Sequence, residues 1–191
     1  MATASLIVIG TSMGGLKALQ VVLGGLPAGF PFPIAVVQHR GAAVDVLLRD
    51  LLQEGILLPV SEPQDKEAIL AGRVYVAPAD YHLLVDGDAF ALSTEAPVRH
   101  ARPSIDVLFE SAAAARGSGV VGVILTGAND DGMYGATRIK ARGGRIVVED
   151  PLTAECAVMP RAAAPLADAV LPLGRISSCL ADWCGAGADR P

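Results

Sequence analysis

Three short apolar runs in this 191-residue chain end on residues equipped for chemistry. Residues 6–9 lead into Gly10-Thr11-Ser12-Met13-Gly14-Gly15, residues 34–37 into Gln38-His39-Arg40, and residues 120–125 into Thr126-Gly127-Ala128-Asn129-Asp130-Asp131-Gly132. A serine hydroxyl becomes a nucleophile when a base takes its proton, and an imidazole near neutral pKa suits that task. The imidazolium that forms needs a carboxylate to orient and stabilise it. Ser12, His39 and either Asp131 or Asp130 supply these groups. The stretch Gly10-Thr11-Ser12-Met13-Gly14 also fits G-x-S-x-G, the strand-turn-helix elbow that lifts a serine hydroxyl clear of the backbone. The order Ser, His, Asp differs from the Ser, Asp, His order of α/β-hydrolases.

Other readings of the same glycines fit less well. A dinucleotide turn wants G-x-G-x-x-G and an acidic residue near the end of the second strand, but Ser12 stands at the second glycine and Gln38-His39 at that strand end. A phosphate loop wants Gly-Lys-Ser/Thr, and Gly15 is followed by Leu16. A looser anion site at a helix N-terminus is a weaker alternative. The structural alternatives are helix caps at Ser12 and Asp131, and a structural place for His82.

The elements that must position these groups are stacked βα units. Apolar runs at 6–9, 34–37, 74–76, 120–125 and 146–148 read as strands. Val44, Leu47, Leu48, Leu51 and Leu52 recur at helical spacing, as do Ile105, Leu108, Phe109, Ala112 and Ala113. Ser104 reads as the cap of that second helix, with Asp106 in its first turn. Residues 82–92, HLLVDGDAFAL, are two apolar runs around an Asp-Gly turn and predict a β-hairpin. In open α/β sheets ligands bind beyond the carboxyl ends of the strands, where all three candidates stand.

Hydrophobic residues make up 52% of the chain and charged ones 18%, as expected when a parallel sheet is covered on both faces. The length suits one domain over residues 1–191, with residues 185–191 a frayed tail. A net charge of −5 and the lack of a dense basic run argue against nucleic acid, apart from a local group at Arg99, His100 and Arg102. No export signal or membrane-length apolar run is present, so the expectation is cytoplasmic, without membrane insertion. The three cysteines, Cys156, Cys179 and Cys184, lack metal-site spacing and read as small core residues or surface thiols.

Taken in order, IGTSMGG, VVQH, VYVAPADYH, RPSIDVLF, GVILTGANDDG and MPRAA resemble the motifs of the catalytic domain of chemotaxis protein-glutamate methylesterases of the CheB type. The resemblance runs from about Leu6 to past Arg161 and implies a doubly wound, mostly parallel sheet in a three-layer αβα arrangement with an antiparallel hairpin. It carries the nucleophile to Ser12, the base to His39 and the carboxylate to Asp131. It implies hydrolysis of glutamyl methyl esters on cytoplasmic helices of methyl-accepting chemoreceptors, releasing glutamate and methanol. Some members also deamidate glutamine, and no metal or cofactor is needed.

Two departures bear on access to the site. Ala128-Asn129 stands where the family commonly has Met-Gly, so a lost glycine is expected to move the loop that supplies an oxyanion donor. Arg40-Gly41 stands where methionine and proline often follow the histidine. Typical members also carry an N-terminal phospho-receiver domain, whereas this sequence starts just before its first strand, giving either a stand-alone catalytic domain or one trimmed from its receiver. The basic group at Arg99, His100 and Arg102 reads either as a rim that docks an acidic receptor helix or as a solvated loop. Two alternatives to the esterase remain: a catalytically silent receptor-binding module of the same fold, and a small-molecule carboxylesterase or amidase using the same triad.

Overall fold

A computed structural model of the chain describes residues 5–39 and 48–185. From the N-terminus run β1 (Leu6–Thr11), α1 (Gly15–Gly24), β2 (Ile34–Gln38), α2 (Leu48–Gln53), β3 (Val60–Ser61) and β4 (Val74–Val76). The hairpin β5 (His82–Asp86) and β6 (Ala89–Ser93) follows, then α3 (Ile105–Arg116), β7 (Val120–Ile124) and α4 (Met133–Ala141). The chain closes with β8 (Arg145–Glu149), α5 (Val158–Ala163), β9 (Ala169–Leu171) and α6 (Leu173–Trp183).

Seven strands form one parallel sheet in the order β3-β4-β2-β1-β7-β8-β9, and β5 and β6 pair antiparallel in a separate hairpin. The chain builds one half of the sheet from β1 through β2, with β4 inserted between β2 and the edge strand β3, then returns to build outward through β7 on the other. The strand order therefore reverses between β1 and β7, the switch point where open sheets leave a crevice.

Side chains of a strand alternate between its faces, and the sequence uses that alternation to fill two cores. Ile7, Ile9, Val36, Val121 and Val123 pack under α1, α2 and α6 through Leu19, Leu52, Ile176 and Leu180. Leu6, Val8, Val37, Val120 and Ile124 face α3, α4 and the hairpin, against Leu108, Phe109, Ile139 and Phe90. Every residue of β1 is buried. Hiding one such aliphatic side chain contributes about 1.5–3 kcal/mol on either face.

The five predicted strands, the hairpin and α3 all form, most of them a residue or two longer than predicted. Spacing alone did not mark β3, β9 or α6. The two strands have two and three residues at the sheet margins, and α6 offers Ile176 and Leu180 among polar neighbours. Cys184 is buried, Cys156 and Cys179 are half-buried, and all three are free thiols. Burial pushes the Cys184 thiol up to about 11, so it acts as an inert core residue. Among the described residues no helix is long and apolar enough to cross a membrane. The spacing at Val44 and Leu47, Arg40-Gly41, and the expected tail beyond Gly185 lie outside the described residues.

Candidate active site

Parity decides which way the candidate groups face. Ser12 continues the set Leu6, Val8 and Gly10, and His39 continues Ala35 and Val37, so both leave the sheet on the α3 side. Thr11 pairs with Gln38, and the His39 N–H donates to the Thr11 carbonyl at 3.0 Å, which sets Ser12 and His39 side by side. On the other flank the Ser12 N–H and the Thr11 hydroxyl donate to the Thr126 carbonyl at 3.0 and 2.8 Å. The Thr126 hydroxyl donates in turn to the Met13 carbonyl at 2.8 Å, fastening the turn to the end of β7. Gly14 then takes φ +78°, open to glycine because it has no Cβ, and α1 begins. Gly14, not Ser12, is the N-cap, and the Ser12 hydroxyl has no hydrogen-bond partner among the described residues.

The structure brings Asp131, and not Asp130, to the histidine. Asp131 Oδ2 lies 2.7 Å from His39 Nε2, with the aspartate side chain 0% and the ring 12% exposed. Its other donors come from the start of α3: the Ile105 N–H at 2.8 Å, and the Asp106 N–H and Ser104 hydroxyl at 3.0 Å each. Asp131 thus caps α3 rather than the helix that follows it. Asp106 answers in kind, its Oδ1 accepting the Gly132 and Gly135 N–H groups at 2.9 and 2.7 Å at the start of α4. The two helices exchange caps. Ser104 sits at the N-cap position of α3 without capping it, because the carboxylate takes those N–H groups and frees the hydroxyl to donate.

The close approach of α3 to β1 and to the start of α4 depends on glycines around Ile105. A Cβ on Gly10 would collide with Ile105, and one on Gly132 would come within 2.7 Å of its Cγ2. His82, read as structural, sits directly behind this junction at 2% exposure. Its Nδ1 accepts the Ser104 N–H and its Nε2 donates to the Ala96 carbonyl, both at 3.2 Å. A backbone N–H only donates and a carbonyl only accepts, so the ring is neutral with its proton on Nε2. His82 holds Ser104, Ser104 and α3 hold Asp131, and Asp131 holds His39.

Burial works to raise the Asp131 carboxyl, but the His39 hydrogen bond and the Asp106 and Ile105 N–H groups outweigh it, so it stays below the ordinary carboxylate range. Asp106 goes the other way: burial pushes it up to about 6, aided by the nearby Asp131 charge and opposed by its two N–H donors and by Arg99. Because Asp131 is ionised it can only accept, so His39 presents a proton to it from Nε2.

The expected basic rim is largely matched within the chain. Arg99 pairs with Asp130 at 2.5 Å and lies 3.6 Å from Asp106, holding the Asp130 carboxyl below its usual range. Arg102 donates to Asp80 and to the carbonyls of Thr94 and Glu95. These contacts favour the ordinary-loop reading for both arginines. Arg99 and His100 sit at φ +49° and +66° in the tight turn between Val98 and Ala101, a conformation that non-glycine residues rarely adopt and that the ion pairs help to hold.

Asn129 does not need the backbone freedom of the glycine it replaces, since it is not among the positive-φ residues. Its side-chain oxygen accepts the Asp131 N–H at 3.2 Å, and its amide nitrogen lies 3.5 Å from His39 Nδ1, at the outer limit of a hydrogen bond. Among the described residues no group of three metal-ligating side chains comes together.

These features define a class: doubly wound α/β proteins that carry a serine, an imidazole and a buried carboxylate at neighbouring strand ends. Residues 7–180 match the family model described as CheB methylesterase, and the chain belongs to that family. It is 48% identical to a putative protein-glutamate methylesterase/protein-glutamine glutaminase of Leptospira interrogans over 90% of each chain. It is 41% identical to a protein-glutamate methylesterase/protein-glutamine glutaminase of Anaeromyxobacter dehalogenans, covering 94% of this chain and 53% of that protein. The crystal structure of the Thermotoga maritima CheB methylesterase catalytic domain superposes with a TM-score of 0.91 at 34% identity, over 95% of this chain and 99% of that one.

Proposed function

We propose that the protein is a serine esterase that removes methyl groups from glutamyl methyl esters on the cytoplasmic helices of chemoreceptors. The observation that carries this reading is the 2.7 Å pair of His39 and buried Asp131 beside Ser12 at the end of a parallel sheet. Rotation about the Ser12 side-chain torsion, in response to a bound ester, closes the remaining contact to His39 Nδ1. The Ser12 oxygen attacks the ester carbonyl carbon as its proton passes to Nδ1, and Asp131 stabilises the imidazolium. Collapse of the tetrahedral intermediate breaks the bond to the methoxy oxygen, which leaves as methanol with the proton from His39. Water activated by the same nitrogen then cleaves the acyl-serine to glutamate. A glutamine side chain would follow the same steps with ammonia leaving, in keeping with the glutaminase half of the relatives' names.

A fluorophosphonate tests the reading: the serine oxygen bonds to phosphorus, fluoride leaves and the proton goes to the base. The expected result is one adduct, mapped to Ser12, that stops methanol release from methylated receptor. An adduct elsewhere, or full methanol release by protein modified at Ser12, would sink it. Receptor binding by the unmodified protein without any methanol release would favour the silent-module alternative.

A further inference from the structure

We propose that Gln38 is a positioning residue that ties the nucleophile to the base and aims the Met13 N–H at the oxygen of the tetrahedral intermediate. The inference rests on the serine-esterase reading of the site and assigns a role to a residue outside the triad.

The Gln38 side-chain amide nitrogen donates to the Ser12 carbonyl at 2.7 Å and to the His39 carbonyl at 2.9 Å. One amide thus spans the backbones of both residues. Two carbonyl oxygens can only accept, so the nitrogen must face them, and Oε1 is turned into a buried position where it has no partner. That oxygen lies over Gly15, where a Cβ would collide with it. An unsatisfied buried oxygen is unfavourable, and its retention here goes with the two bonds made by the other end of the same amide.

The consequence follows from peptide geometry. The Ser12 carbonyl also accepts the Gly15 N–H at 3.0 Å, so it is held from two directions. In a trans peptide the N–H of the next residue points opposite to that carbonyl. The Met13 N–H is therefore directed away from Gln38 and α1, and among the described residues it makes no hydrogen bond. In a nucleophile elbow the residue after the serine supplies an oxyanion donor. Gln38 fixes the plane that carries this donor and, through the His39 carbonyl, the position of the base.

The test compares Gln38→Met and Gln38→Glu with wild type for methanol release from methylated receptor and for the rate of phosphonylation at Ser12. Rates are referred to the sites that react to completion, so partial unfolding lowers the amplitude and leaves the rate constant readable. Both variants are expected to lose on the order of 100-fold in kcat and in phosphonylation rate with KM within about threefold. Gln38→Glu is expected to be the slower, since it sets carboxylate oxygens against two carbonyls. A packing role alone would give the reverse order, because glutamate is the closer match in shape. Wild-type rates in either variant, or the reverse order, would overturn the proposal while leaving the esterase reading intact. Failure of the wild-type protein to label at Ser12 would instead overturn the esterase reading itself.

Discussion

Asp131 is fully buried and yet ionised, because four donors meet its two oxygens. Its capping of α3 and its grip on His39 are one arrangement, with the charge held by the helix N-terminus and offered to the imidazole. Asp131→Asn keeps an acceptor for α3 but offers an amide where the ring needs a carboxylate. By the proposed mechanism kcat is expected to fall roughly 10³–10⁴-fold. Ser104→Ala removes one donor of four and is expected to cost about 1 kcal/mol, near fivefold. Steady-state rates on methylated receptor check both, and equal losses in the two variants would contradict this ranking. Ser12, His39 and Asp131 were legible as residues at strand ends, and the choice between Asp130 and Asp131 came from the family resemblance. The partners of Gln38, His82 and Ser104 were not legible. Each depends on which polar group lies within hydrogen-bonding distance after folding, and spacing along the chain does not encode that.

The exchange of caps between α3 and α4 joins two elements whose N-termini lie 28 residues apart in sequence, Ile105 and Met133. The pKa values of Asp131 and Asp106 are shifted in opposite directions. The depressed pKa of Asp131 contributes stability above the unfolded carboxylate value near 3.9, lost as pH falls through the folded value. Asp106, raised to about 6, contributes below about 3.9, and that contribution is lost as pH rises through about 6, amounting to about 3 kcal/mol. Asparagine at position 106 keeps an acceptor for Gly132 and Gly135 but does not titrate. The stability of wild type relative to Asp106→Asn, from urea unfolding, is therefore expected to fall by about 2 kcal/mol between about pH 4 and pH 7. A difference constant with pH would contradict the sign and origin given to this shift. Sequence patterning marked α3 and the assigned strands because their apolar residues recur at a clear period. It placed Ser104 at the N-cap position and Asp106 in the first turn of α3, but the serine does not cap the helix, and both side chains instead serve the neighbouring loop and helix.

Across the whole molecule, one parallel sheet with two cores brings three distant segments to a single edge. The apolar composition and βα alternation made the sheet legible, and the Asp-Gly turn marked the hairpin. The strand order was not legible, since nothing local in residues 120–124 says that β7 returns to pair with β1. That return places Asp131 across from His39 and makes Ser12 the central residue of the edge. The most direct measurement is methanol release from methylated receptor by wild type and Ser12→Ala, with equal melting temperatures showing that both are folded. The expected result is release by wild type and a loss of at least about 10³-fold in the variant. Release by Ser12→Ala at the wild-type rate would contradict the central claim that Ser12 is the nucleophile.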